Sequence, residues 1–123
     1  MIEGTVTATR EARLLVHLQM ANGHAFSVEA VLDTGFNGFL TLPPDIIARL
    51  GVQRLSRGRA LLADNQEVVF DIYGVTVVWD GRIMTVEADG VDTTPLVGMG
   101  LLDQAELYMH VVPGGRVVIT PKR

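Results

Sequence analysis

The segment Ala30-Val31-Leu32-Asp33-Thr34-Gly35-Phe36-Asn37-Gly38-Phe39-Leu40 runs from an apolar stretch onto an acidic residue and then into glycine and aromatic residues. Upstream, Phe26, Val28, Ala30 and Leu32 alternate with Ser27 and Glu29, the period-2 pattern of a half-buried strand. Val31 is apolar as well, so the strand is expected to be covered on both faces as it enters the core. A carboxylate at the end of such a strand is poorly hydrated, which favours its protonated form. The simpler reading of Asp33-Thr34-Gly35 is an Asx-type turn, with Asp33 bonding its own backbone and Gly35 at positive φ. On the tripeptide alone the turn is the better account, because short strings of common residues recur by chance.

Outward from this segment the pattern is mainly β. Asn22-Gly23, Asp80-Gly81, Asp89-Gly90 and Gly114-Gly115 supply the positive φ that tight hairpin turns need. Between them, runs rich in Val, Ile, Thr and aromatics predict strands over 4–8, 13–20, 25–32, 59–62, 67–79, 82–88 and 117–120. Pro43-Pro44-Asp45 opens a helix whose apolar face is Ile46, Ile47 and Leu50 and which Gly51 closes. A second short helix is expected over 100–107. Many short strands with one or two short helices point to a closed β-barrel or sandwich. At 123 residues the chain is expected to form a single domain over 1–123. Val31-Leu32-Asp33-Thr34-Gly35 is faintly echoed by Leu96-Val97-Gly98-Met99-Gly100, each an apolar run entering a glycine-bearing turn.

Composition narrows the function classes. Apolar residues make up 48%, enough for a core and too many for a disordered arm. The net charge of −4, with no extended Lys/Arg cluster, argues against nucleic acid as a partner. Cysteine is absent, which removes disulfides and thiol catalysis. The amino terminus carries Glu3 where a secretory leader would be basic and apolar, and no apolar run approaches the roughly 20 residues of a membrane span. The expectation is a cytoplasmic protein with no membrane partner.

With the surrounding pieces in order, the sequence resembles the retropepsin-like aspartic proteases, most closely the small bacterial members of that clan. The resemblance rests on Val31–Gly35, on Leu40-Thr41-Leu42-Pro43 leading to a helix that ends Arg49-Leu50-Gly51, and on the hairpin-like Leu61-Leu62-Ala63-Asp64-Asn65-Gln66-Glu67. It continues through the long strands beyond and closes with Pro95-Leu96-Val97-Gly98-Met99-Gly100-Leu101-Leu102 and a last strand over 116–120. It covers nearly the whole chain and implies the fold of one half of an acid protease, a closed β-barrel.

The resemblance also implies chemistry. One Asp-Thr-Gly would come from each of two subunits, the paired carboxylates sharing a proton because like charges a few ångströms apart do not both ionise. A water held between them would attack a peptide bond, with no metal or cofactor. Residues 1–123 hold a single Asp-Thr-Gly, so a homodimer is required, with a polypeptide substrate as the other partner. Asp33, Thr34 and Gly35 are the implied catalytic set: Thr34 locks the two loops together, and Gly35 donates to the carboxylate. The tip Ala63, Asp64 and Asn65 is the implied flap over substrate. Phe36 stands where the family commonly has Ala or Ser; it either lines the cleft or narrows it. That departure keeps open a second reading, a proteolytically inactive peptide-binding or dimerisation module on the same fold.

The remaining candidates are weaker. His17, His24 and His110 lack neighbouring carboxylates at ligand spacing, so no metal site is expected. Ser27 and Ser56 have no triad context, Asp92-Thr93-Thr94 reads as a surface loop, and Met84, Met99 and Met109 read as core filler.

Overall fold

A computed structural model describes residues 1–122. Ten strands and one helix follow in order: β1 (Ile2–Val6), β2 (Ala12–Gln19), β3 (Ala25–Leu32), β4 (Leu40–Leu42), α1 (Pro44–Leu50), β5 (Arg54–Leu61), β6 (Glu67–Trp79), β7 (Arg82–Gly90), β8 (Leu96–Val97), β9 (Ala105–Met109) and β10 (Arg116–Pro121). The fold is mainly β with a single helix, as the turn-punctuated sequence led one to expect.

The strands close into a ring. Going round it, β2 pairs β3, β3 pairs β8, β8 pairs β4, β4 pairs β7, β7 pairs β6, and β6 returns to β2 through His17↔Val78, Leu18↔Val77 and Gln19↔Thr76. Alternation decides which side chains fill it. On β2, Leu14, Val16 and Leu18 point inward; they meet Val28, Ala30 and Leu32 of β3, Val75 and Val77 of β6, and Val86 and Ala88 of β7, all buried. Each Leu or Val among them contributes about 1.5–3 kcal/mol on leaving water. Leu40 and Leu42 of β4 and Val97 of β8 complete the floor.

Two appendages leave the ring. The first residues of β2 pair β1 (Thr5↔Arg13, Val6↔Ala12), and β1 pairs β10, which pairs β9. The other is a two-stranded arm in which β5 pairs the first half of β6, from Arg54↔Tyr73 to Leu61↔Glu67, with a bulge between Arg54 and Ser56.

α1 forms as its sequence dictates. Pro43 caps it in extended conformation, Pro44 opens its first turn, Ile47 and Leu50 are buried, and Gly51 at φ 71 donates to Ile47 and Ala48 carbonyls. No second helix follows over 100–107. Leu101 and Leu102 donate to the carbonyls of Gly98 and Met99, bonds of tight turns. Gln104 then turns left-handed at φ 67, and Ala105 onward pairs β10.

Three of the expected turn dipeptides do turn, with Gly23 at φ 87, Asp80 and Gly81 at φ 50 and 78, and Gly114 at φ 77. Asp89-Gly90 does not: both residues stay in β7, facing Thr41 and Leu42 on one edge and Ile72 and Asp71 on the other. The arm also starts earlier than expected, at Arg54 rather than 59. Among the described residues no helix is long and apolar enough to cross a membrane.

Candidate active site

Asp33 sits where β3 leaves the ring. The faint echo in the sequence is here a spatial pairing: β3 and β8 run parallel, Val31 beside Leu96 and Leu32 beside Val97. The Asp33 amide donates to the Val97 carbonyl at 2.8 Å, so the first residue past β3 is still tied to β8. The chain then reverses, the Phe36 amide donating to the Asp33 carbonyl at 3.1 Å. From the other side Gly98, Met99 and Gly100 donate to the carbonyls of Phe39 (3.0 Å), Phe36 (2.7 Å) and Gly38 (2.9 Å). The loop over 33–39 is therefore bonded at both ends and along its length, which is how a turn presents one side chain in a fixed place.

Glycine at 98 is a matter of space. A Cβ there would lie 2.3 Å from the Gly38 carbonyl oxygen and 2.6 Å from Cδ2 of Phe36. The Phe36 ring fills the room left by Gly98 and Gly38, where a Cβ would stand 2.6 Å from its Cε1 and Cζ. Phe36 is half-buried, and the buried part of its ring holds the loop from within, a role that its position beside Asp33 did not suggest.

At the turn itself the Gly35 amide donates to Asp33 Oδ1 at 2.9 Å. The bond is that of an Asx turn, yet Gly35 is not left-handed, unlike Gly23, Gly51, Gly81 and Gly114. Glycine at 35 leaves room at the carboxylate instead: a Cβ would meet only Asp33 Oδ1, at 3.3 Å. Asp33 is half-buried, and Thr34 and Gly35 are exposed. The single chain thus leaves the carboxylate open on one side, and the desolvation expected of its apolar frame is incomplete. Asp33 lines none of three surface grooves of about 580, 510 and 450 Å³.

The expected flap residues form the tip of the β5–β6 arm. The Leu62 amide donates to the Gln66 carbonyl at 2.8 Å, Asn65 is left-handed at φ 64, and Asp64 Oδ1 accepts from the Gln66 amide at 3.0 Å. Register gives the arm two faces. Ser56, Gly58 and Ala60 lie opposite Ile72, Phe70 and Val68 on an apolar face, while the other carries Arg57, Arg59, Glu67 and Asp71. Arg59–Glu67 at 3.2 Å and Arg57–Asp71 at 3.4 Å pair across that second face. Among the described residues no hydrogen bond ties the tip to the Asp33 turn.

Beyond Asp33, one carboxyl stands out. Burial, then the charge on Glu87, pushes Asp89 above the usual carboxylate range. His17 Nδ1 lies 2.7 Å from Ser27 Oγ on the neighbouring strand, and no group of three or more His, Asp or Glu among the described residues is placed to hold a metal ion.

No protein-family model and no curated protein matches the sequence. A crystal structure of a retropepsin-like aspartic protease from Rickettsia conorii superposes on 99% of this chain and 91% of its own, with a TM-score of 0.61 and 14% identity. The fold is retropepsin-like. At that identity the likeness is one of overall architecture alone.

Proposed function

We propose that this chain is one half of a homodimeric aspartic endopeptidase whose catalytic centre is Asp33 from each copy. The observation that carries the reading is the loop over 33–39: it holds the Asp33 carboxylate by the Gly35 amide while leaving Thr34 and Gly35 exposed. A carboxylate positioned that firmly and left open on one side suits completion by a second copy about a two-fold axis. The fold neighbour is an aspartic protease, which supports the same class of chemistry.

The reaction follows from two carboxyls sharing one proton. The ionised Asp33 takes a proton from the water between them as its oxygen attacks the scissile carbonyl carbon. The protonated Asp33 gives its proton to the carbonyl oxygen, forming a neutral gem-diol. Collapse of the diol returns one proton to a carboxylate and delivers another to the amide nitrogen, and the C–N bond breaks. In this reading Thr34 bonds across the axis, Gly35 keeps space at the carboxylate, and Ala63, Asp64 and Asn65 close over the peptide with Phe36 at the cleft wall.

The test is cleavage of a peptide library at mildly acidic and neutral pH by the wild type and Asp33→Asn. Wild-type cleavage that falls by on the order of a thousandfold or more in the variant is expected, within the usual reach of acid–base catalysis. Equal cleavage by both, or none by either, rejects the proposal.

A further inference from the structure

We propose that the second copy docks on the free edge of β9, the two chains pairing antiparallel through Leu107 and Met109; the proposal rests on the dimeric reading above. Of the terminal strands, apolar enough to have been candidates for exchange, β10 is paired on both edges within one chain, between β1 and β9, and β1 pairs β10 along its length and β2 at Thr5 and Val6. The sheet order leaves β5 and β9 as its end strands.

Charge separates the two. β5 carries Arg54, Arg57 and Arg59, and two-fold pairing of that edge would set arginines of both copies along one seam, the usual protection of an edge strand. β9 reads Ala105-Glu106-Leu107-Tyr108-Met109 with no proline and no basic residue. Its surroundings are apolar and open: Tyr108 is 57% exposed, Val111 56%, Val112 42% and Met109 37%.

The register fixes which groups are available. The His110 amide donates to the Arg116 carbonyl at 2.9 Å, so His110, Tyr108 and Glu106 direct their amides and carbonyls toward β10. Leu107 and Met109 therefore direct theirs away from it, to the free edge. A two-fold axis through Tyr108 places Leu107 against Met109 of the second copy, and each outward amide and carbonyl then finds a partner. The side chains agree with that register. Leu107 and Met109 lie on the face of Val117 and Ile119 and would extend that buried layer. On the other face Tyr108 meets its own copy, and Glu106, already 2.8 Å from Lys122, comes opposite His110 of the second copy. β9 also follows directly on the turns that brace the Asp33 loop, so the shared edge and the half-site are mechanically continuous.

Proline at an outward amide removes the edge donor while sparing the β10 ladder. The oligomeric state of wild type, Met109→Pro and Tyr108→Lys is measured by light scattering on a sizing column, with circular dichroism as the check on folding. The wild type is expected at twice 13.3 kDa and folded Met109→Pro at 13.3 kDa. Tyr108→Lys, at an exposed position, faces two like charges and raises the dimer dissociation constant at least tenfold; it decides the matter if the proline variant does not fold. A dimeric wild type whose variants dimerise equally well overturns the edge proposal and leaves the endopeptidase reading to its cleavage assay. A wild type that stays monomeric overturns both. A dimer dissociated by these variants that cleaves nothing upholds the edge and rejects the endopeptidase.

Discussion

Gly98→Ala puts the bracing of the Asp33 loop to a quantitative test. The added methyl would stand 2.3 Å from the Gly38 oxygen, 2.6 Å from the Phe36 ring and 2.8 Å from the Phe36 oxygen. Two of those three obstacles are backbone, so relief requires the loop or β8 to move. Overpacking of this kind costs about 1–3 kcal/mol. Displacement also weakens the Gly98, Met99 and Gly100 amide bonds to the loop, each worth about 0.5–1.5 kcal/mol. Together they set an expected loss of about 2–4 kcal/mol, as the bonds stretch without all breaking. For a chain of this size that lowers Tm by roughly 10 °C. Trp79, the single tryptophan and 8% exposed, reports unfolding by fluorescence in urea at one fixed protein concentration. Gly23→Ala is the reference: φ there is 87 and a Cβ meets nothing within 4 Å, so only backbone strain of about 1 kcal/mol is expected. A Gly98→Ala loss no larger than that of Gly23→Ala would refute the close-approach argument.

Two further outcomes follow from single residues. Gly35→Ala leaves stability within about 1 kcal/mol, because its φ is not left-handed and its Cβ meets only Asp33 Oδ1 at 3.3 Å; peptide cleavage should nonetheless drop at least tenfold, and full activity would show that space at the carboxylate is not needed. Asp89 tests the electrostatics: burial and Glu87 raise its folded value above the ordinary 3.8, so its contribution to stability is fully present below 3.8 and lost as pH rises through the folded value. Asp89→Asn should gain stability relative to wild type as pH rises through that window and level off above it, read from urea midpoints across pH 3–7; a difference that ignores pH, or grows on acidification, contradicts the assignment.

Much of this molecule was legible in the chain, and the exceptions have causes. β2, β3, β6 and β7 announce themselves because one face of each fills the ring, which enforces period-2 alternation. α1 is visible because Pro44 and Gly51 punctuate it. The two-residue β8 and three-residue β4 are too short to show a period, yet they complete the ring; β8 left a trace in the likeness of Leu96-Val97-Gly98 to Val31-Leu32-Asp33, and β4 only in the family resemblance of Leu40-Thr41-Leu42. The turns over 99–104 resemble a helix locally, with Leu101, Leu102 and Leu107 at suggestive spacing, but pairing with β10 captures the chain at Ala105. Asp89-Gly90 has turn chemistry and lies in a strand because β4 and β6 bond both its edges. At the candidate site, the place of Asp33 at the end of an apolar strand was legible from its frame. The packing of Phe36 between Gly38 and Gly98 was not, since it depends on a contact across some sixty residues of chain.

The separation of the two Asp33 carboxylates in a crystal structure of the dimer tests the central claim most directly. Carboxyl oxygens about 3 Å apart are expected, the spacing at which two such groups share a proton, related by a two-fold axis with Thr34 at the junction. Two Asp33 side chains held well beyond reach of a common water, each closed in its own Asx turn, would contradict it.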